Sequence, residues 1–444
     1  MKFDVWKLGS RWQCVYGLFY LMGLLKFVIW TMNSTSNAYP TVSARRRSFV
    51  ISFSKTAFIG ICLPFRARAA VDGDGSNFLV NLLERAKDGA NIVIPAGRYI
   101  LSKPLSLKGR GITISGSGNV DLFTIEPNGT VFLIRNSEDI VVDGINILAA
   151  YQCRAGVLLE RCSNVKLSNM TVKNFSEAGV EVKRSSNCAI EKLKFYDAVP
   201  DYRWMDTISS DIFINGTNSN IVVSNCLHGS GGGYGIQVRT NQSGERSVGH
   251  VISGNNISGY NSYGIMLYRN GPYYAGDDQT VSNIVLRHNV IRSISGRRPA
   301  DASKPDRRDF GAGIYLQGAE SCLVEDNIID NTNISTNSEL LAPGAIGIAN
   351  AGAAVVRGNV IYNCLYGIYI NDSLGKGSRK GVIDILQNNF RSVKKLCIKV
   401  VAKDNVNISG SVYDGSSDSF MKKFGGHENF IMNHIKQSDN KRFD

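Results

Sequence analysis

At 444 residues and a formal net charge of +13, the chain is long enough for several ordinary domains and basic enough to raise nucleic acid as a partner. The placement of the charge removes that partner. Residues 1–69 carry ten Lys or Arg against one acid, Asp4, which leaves about +4 on everything after them, and no stretch interleaves basic with aromatic residues as a nucleic-acid module does. The 45 glycines punctuate short apolar runs, which excludes an all-helical fold and favours strands joined by tight turns.

The chain opens with a leader. Residues 15–30 are apolar but interrupted by Lys26, and the run falls short of the roughly 20 residues a membrane-spanning helix needs. Further on, Arg45-Arg46-Arg47-Ser48-Phe49-Val50 precedes a moderately apolar run over 51–63 and then Ala67-Arg68-Ala69-Ala70, the order of basic region, apolar region and small-residue cleavage site. Paired Arg followed by x-Phe resembles the twin-arginine signal. That resemblance implies the twin-arginine export machinery as a partner, delivery to the periplasm or beyond, and cleavage near Ala69. So late a signal points to Met32 as the true start.

Phe78, Leu79, Leu82, Leu83 and Ala86 then fall at helical spacing, with Ser76 as N-cap and Gly89 just past the end. Such a helix caps the open first coil of a solenoid, covering apolar surface and a pairable strand edge. The self-similarity that follows supports this. Gly179-Val180-Glu181-Val182-Lys183, Asp211-Ile212-Phe213-Ile214-Asn215, Gly235-Ile236-Gln237-Val238-Arg239, Gly264-Ile265-Met266-Leu267-Tyr268, Gly313-Ile314-Tyr315-Leu316-Gln317 and Gly367-Ile368-Tyr369-Ile370-Asn371 each open a unit, with a period of roughly 20 to 24 residues where no insertion intervenes. Strand alternation sends the first and third residues after the opening one to a common core. Asn225, Asn255, Asn289, Asn327, Asn359 and Asn389 recur before a later strand of each unit and predict a ladder of stacked asparagines. The expected organisation is leader (1–69), capping segment (70–90), parallel β-helix (91–415) and polar tail (416–444).

Cys153, Cys162, Cys188, Cys226, Cys322, Cys364 and Cys397 lie in separate units without CxxC spacing, which predicts small buried core residues. The five His show no metal-binding spacing. No cofactor is evident, and calcium is left open because its oxygen ligands leave no spacing to read.

From Asn77 to about Tyr413, and notably at Ile92-Val93-Ile94-Pro95-Ala96-Gly97-Arg98-Tyr99 after the helix, the chain resembles the pectate-lyase-like superfamily. The resemblance implies an all-β fold, a right-handed parallel β-helix with a short N-terminal capping helix. With the leader, the chain resembles a narrower group, the twin-arginine-translocated repetitive proteins of bacteria, which implies export and a β-helix but brings no activity.

Chemistry is therefore sought on the outside of the coils. The second and fourth residues after each opening one form two outward columns, Glu181, Phe213, Gln237, Met266, Tyr315 and Tyr369 beside Lys183, Asn215, Arg239, Tyr268, Gln317 and Asn371. Aromatics, amides and cations side by side suit sugar rings and their hydroxyls, so polysaccharide is the expected partner, with Gln237, Tyr268, Tyr315, Tyr369 and Trp204 as binding residues. The competing reading is an ordinary solvated face. Insertions over 199–209, 240–249, 269–280, 296–309, 334–343 and 372–380 elaborate the middle units. Hydrolysis would use carboxyls such as Asp277, Asp278 and Asp206, while lyase or epimerase chemistry would use Arg239 and Arg269 to stabilise charge on a uronate and Tyr268 to carry a proton.

Gly276-Asp277-Asp278 is similar to the paired-Asp motif of polygalacturonases, but the upstream Asn-Thr-Asp and the downstream Gly-His-Gly and Arg-Ile-Lys elements are missing in order. The Asp-Pro-His motif of mannuronan epimerases is absent too. Three hypotheses follow: a polysaccharide-binding or polysaccharide-modifying protein, a non-catalytic envelope scaffold, and an accessory factor in exopolysaccharide assembly.

Overall fold

In a computed structural model, residues 76–437 are described apart from 125–128, 199–208, 232, 270–277, 295–310, 333–343, 373–380, 402–404, 416–418, 425–429 and 434–435. The leader, Trp204 and Asp277 thus lie outside the described residues, as do Tyr202, Arg203, Asp206, Tyr273 and Tyr274.

Helix α1 (Ser76–Glu84) buries Leu79, Val80 and Leu83 and packs against the strand Leu105–Leu107, as expected of a cap. After it the chain coils. Among the described residues, parallel pairing joins 33 strands into one continuous sheet, to which most coils after residue 189 contribute three, and Asn218–Ser219, Arg246–Val248 and Thr280–Ser282 pair as a second, three-stranded sheet. The first face of the coil is built from β1 (Thr171–Lys183), β2 (Ser210–Asn215), β3 (Tyr234–Thr240), β4 (Tyr263–Arg269), β5 (Ala312–Gln317), β6 (Gly344–Ala349), β7 (Tyr366–Asn371) and β8 (Leu396–Val401). Its register stacks Val180, Ile212, Ile236, Ile265, Ile314, Ile346, Ile368 and Ile398, all fully buried, which is the core column that the alternation predicts. The seven cysteines among the described residues are buried and form no disulfide, and burial pushes the thiols of Cys153, Cys188, Cys226 and Cys322 up to about 12.

The glycine that opens most of these strands has a steric cause. A Cβ on Gly235 would sit 2.7 Å from the Gly264 carbonyl oxygen, and one on Gly264 would sit 2.6 Å from that of Gly313, so adjacent coils approach too closely there for a side chain.

An asparagine ladder forms, shifted by one residue at each end from its expected membership. Asn255, Asn289, Asn327 and Asn359 each donate Nδ2–H to Oδ1 of the next coil's asparagine at 2.9–3.0 Å, and the column ends on Asn388, not Asn389. At the other end Cys226 occupies the column and gives its backbone N–H to Asn255 Oδ1. Asn225 instead holds the left-handed corner (φ 55°) that precedes the ladder position, as Gly254 does in the next coil. Beyond residue 415 the strands continue, with Ser419–Phe424 pairing with β8 and Phe430–Asn433 pairing with Val406–Ser409, so the coil runs into the segment expected as a polar tail.

Candidate functional site

The outward positions of the first face do not form the exposed strip that alternation alone suggests. Gln237, Met266, Tyr315 and Tyr369 are 3%, 6%, 3% and 1% exposed. Met266, Tyr315 and Tyr369 belong to a second apolar layer, which also includes Tyr234 and Tyr263. Within it the rings of Tyr234, Tyr263 and Tyr315 stack in sequence, with centroids 5.6 and then 4.9 Å apart. Alternation fixes which way a side chain leaves the strand and says nothing of what lies over it. The polar members are tied down as well: Ser210 donates to Gln237 Oε1 at 3.0 Å, and Tyr315 donates to Gln317 Oε1 at 3.0 Å. In the last coils of the face, Lys399 places its ammonium 4.8 Å from the centre of the Tyr369 ring and 5.1 Å from that of Tyr366.

Accessible chemistry gathers at the C-terminal ends of β1 to β4. Arg239 and Tyr268, paired in register, are half-buried, and the guanidinium carbon stands 5.3 Å over the Tyr268 ring. Arg269, one residue further, is buried at 8% exposure, with its stem lying over Gly318. Glu181, also buried, takes Arg154 at 2.9 Å, Lys183 at 2.8 Å and Asn215 Nδ2–H at 3.0 Å. Burial works to raise the Glu181 carboxyl, but the hydrogen bonds from Lys183 and Asn215 and the charge of Arg154 outweigh it and hold the group below the usual carboxylate range.

Asp278 is exposed. Its Oδ1 accepts from the Ser243 hydroxyl at 2.7 Å and from the Gly244 N–H, and these bonds lower its pKa. Its neighbour Gln279 accepts from Thr240 at the end of β3, so the turn that Asp278 braces adjoins the strand carrying Arg239. Glu245 Oε2 is likewise occupied, by the backbone N–H groups of Asn241 and Gln242. The structure therefore brings a cation, an aromatic ring and amides together, while Glu181, Glu245 and Asp278 are each engaged elsewhere. Among the described residues there is no group of three or more His, Cys, Asp and Glu that could hold a metal.

One buried constellation escaped the sequence reading. Asp211, 1% exposed, occupies the glycine position of β2 and accepts from His228 Nδ1 at 2.9 Å and from the Tyr260 hydroxyl. His228 stacks on Phe195 with centroids 5.1 Å apart. Burial raises the Asp211 carboxyl, and the two donors partly offset it. Its signal was in plain view: Asp211 stands where the neighbouring units open with glycine. All three side chains are enclosed in the core, which makes this a structural cluster.

Residues 128–331 and 210–431 match the family described as "Right handed beta helix region", which covers more than half of the chain. No curated protein matches in sequence. Among solved structures, the chain is similar to the catalytic unit of a thermostable alpha-1,3-glucanase from Streptomyces thermodiastaticus (14% identity, TM-score 0.58, 83% of this chain and 66% of that one). It is also similar to a hyperthermoactive exopolygalacturonase from Thermotoga maritima (12% identity, TM-score 0.50, 80% of this chain and 87% of that one). The chain thus spans just under two thirds of the glucanase unit, and at these identities the likeness is one of fold. Coil, register and family match agree, and the chain belongs to the right-handed β-helix family.

Proposed function

We propose that this chain is an exported protein that binds a polysaccharide along the first face of its coil, with Arg239 and Tyr268 at the centre of the site. The observation that carries the reading is the half-buried Arg239 guanidinium over Tyr268, set at the edge of a layer of stacked tyrosines. Aromatic faces and fixed polar groups are what sugar recognition requires, and consecutive coils about 4.8 Å apart repeat them along one axis. That the fold is shared with a glucanase and a polygalacturonase supports the reading.

Binding is favoured over cleavage by hydrolysis because Glu181, Glu245 and Asp278 are committed to ion pairs or turns. Lyase or epimerase chemistry would draw on Arg239, Arg269 and Tyr268, and hydrolysis would have to recruit Asp206 or Asp277 or release Asp278. The arginine-rich leader supports delivery to the periplasm or beyond by the twin-arginine route.

The test is to screen the mature protein against polygalacturonate, alginate and alpha-1,3-glucan oligosaccharides. Unsaturated products and reducing ends, followed in the same samples, separate modification from binding. Replacing Arg239 and Tyr268 together by Ala is expected to abolish binding while unfolding stays a single cooperative transition, its midpoint lowered because Tyr268 packs against the tyrosine layer. Affinity unaltered in the double variant, or no binding to any polymer, would sink the proposal.

A further inference from the structure

Inside the coil, the Asp211 cluster is bonded unevenly. Both of its donors, His228 Nδ1 at 2.9 Å and the Tyr260 hydroxyl, meet the same carboxyl oxygen, Oδ2. Among the described residues, Asp211 Oδ1 and His228 Nε2 are buried without a hydrogen-bond partner, and Asp211 forms no ion pair with a Lys or Arg. Asp211 and His228 stand on different faces of one coil and Tyr260 belongs to the next, so the cluster clamps two coils together. It lies behind β2, whose Ser210 holds Gln237 on the outer side.

This pattern decides where the hydrogens sit. A doubly protonated imidazole would carry an N–H on Nε2 with nothing to accept it, which costs more than a bare lone pair, so the ring is neutral with its proton on Nδ1. An ionised Asp211 would then hold the only charge of the cluster, with no donor on Oδ1. Enclosing a net charge costs more than leaving one hydrogen without an acceptor, so an added proton is held here more firmly than in water. Burial accordingly raises the Asp211 carboxyl above its usual 3.8, and the bonds from His228 and Tyr260 offset this in part. The other groups facing the cluster do not compete for that proton. Phe195 covers the His228 ring, burial and the Asp211 charge hold the Tyr260 hydroxyl well above 10, and Cys226, which also feels that charge, is pushed up to about 12.

We propose that Asp211 and His228, held by Tyr260, are a proton-binding unit of the folded coil, a latch that tightens on acidification and firms the two coils it joins.

The test is the ratio of the unfolding constants of wild type and Asp211→Asn, from urea titrations of the protein between about pH 8.5 and 4. Asn cannot ionise, and groups outside the cluster titrate in both chains, so the ratio reports the cluster. Below its raised folded value the wild-type coil holds one proton more than the variant coil, while the unfolded carboxylate takes none until the pH nears 3.8. Wild type is therefore expected to gain on the variant as pH falls, by at least about tenfold over the range and by no more than about tenfold per unit. Tyr260→Phe removes a donor that favours the ionised carboxyl, so its cost should be greatest at the alkaline end and shrink by at least about threefold toward pH 4. Circular dichroism at each pH shows whether the variants are folded, and should Asp211→Asn fail to fold, Tyr260→Phe decides. A ratio of wild type to Asp211→Asn that stays constant would overturn the inference and leave the cluster a packing feature. A ratio that moves against wild type in acid would overturn it as well, since the donors would then be holding Asp211 ionised. So would a cost for Tyr260→Phe that is equal at both ends of the range.

Discussion

Removing one asparagine from the interior of the ladder tests whether this column holds the coils together. Asn327 donates Nδ2–H to the Leu286 carbonyl at 2.9 Å and to Asn359 Oδ1 at 3.0 Å. It accepts on Oδ1 from Asn289 N–H at 3.0 Å and from Asn289 Nδ2–H at 2.9 Å. Asn327→Ala deletes all four bonds at a site with no solvent exposure, so water cannot replace them without entering the core. At about 1 kcal/mol net per bond, and more where a buried group is left without any partner, the loss should be about 3–5 kcal/mol. Asn407→Ala gives the contrast: that residue lies on the outer surface with one bond, to Asp384 at 2.8 Å, and should cost less than about 1 kcal/mol. Urea unfolding followed by far-ultraviolet circular dichroism measures both. A cost below about 1 kcal/mol for Asn327→Ala would refute the reasoning and reduce the ladder to a by-product of the turns.

His250 supplies a pH dependence. Its Nδ1 accepts the Ile221 N–H at 3.1 Å, which leaves Nε2–H to donate to Ser247 at 2.9 Å, and burial depresses its pKa from 6.5 to about 3. Because the unfolded chain takes up the proton first, the contribution of the neutral ring is complete above pH 6.5 and declines by about 1.4 kcal/mol per unit as pH falls toward the folded value. His250→Asn should remove that slope from urea midpoints measured between about pH 7 and 4, and a slope equal to wild type would count against the assignment. For export, Arg46→Lys combined with Arg47→Lys is expected to leave the protein in the cytoplasm on fractionation, and periplasmic recovery at wild-type levels would remove the twin-arginine route.

The fold was legible because its determinants are local and repeated. Ile236, Ile265, Ile314 and Ile368 reveal the period, strand alternation gives the core, and the glycine before each is required by the approach of the next coil. Placement within a corner was less legible. Asn225-Cys226 and Asn388-Asn389 each offer two residues for one ladder position, and only the backbone conformation decides which turns inward. The site was partly legible. Arg239 and Tyr268 do pair across coils, as their columns predicted, but the burial of Gln237, Tyr315 and Tyr369 depends on what lies above the sheet, which alternation within a strand cannot report.

The ladder is also vectorial. From Asn289 on, each ladder asparagine's oxygen receives both the backbone N–H and the side-chain N–H of the coil before it, so a finished coil waits for an acceptor that only the following segment of chain can bring. At the N-terminal side of the described residues α1 packs against the first strands. Assembly in the order of synthesis is therefore self-priming along the ladder: the leading edge is the one with unmet donors, and each newly emerged asparagine quenches the edge left by its predecessor.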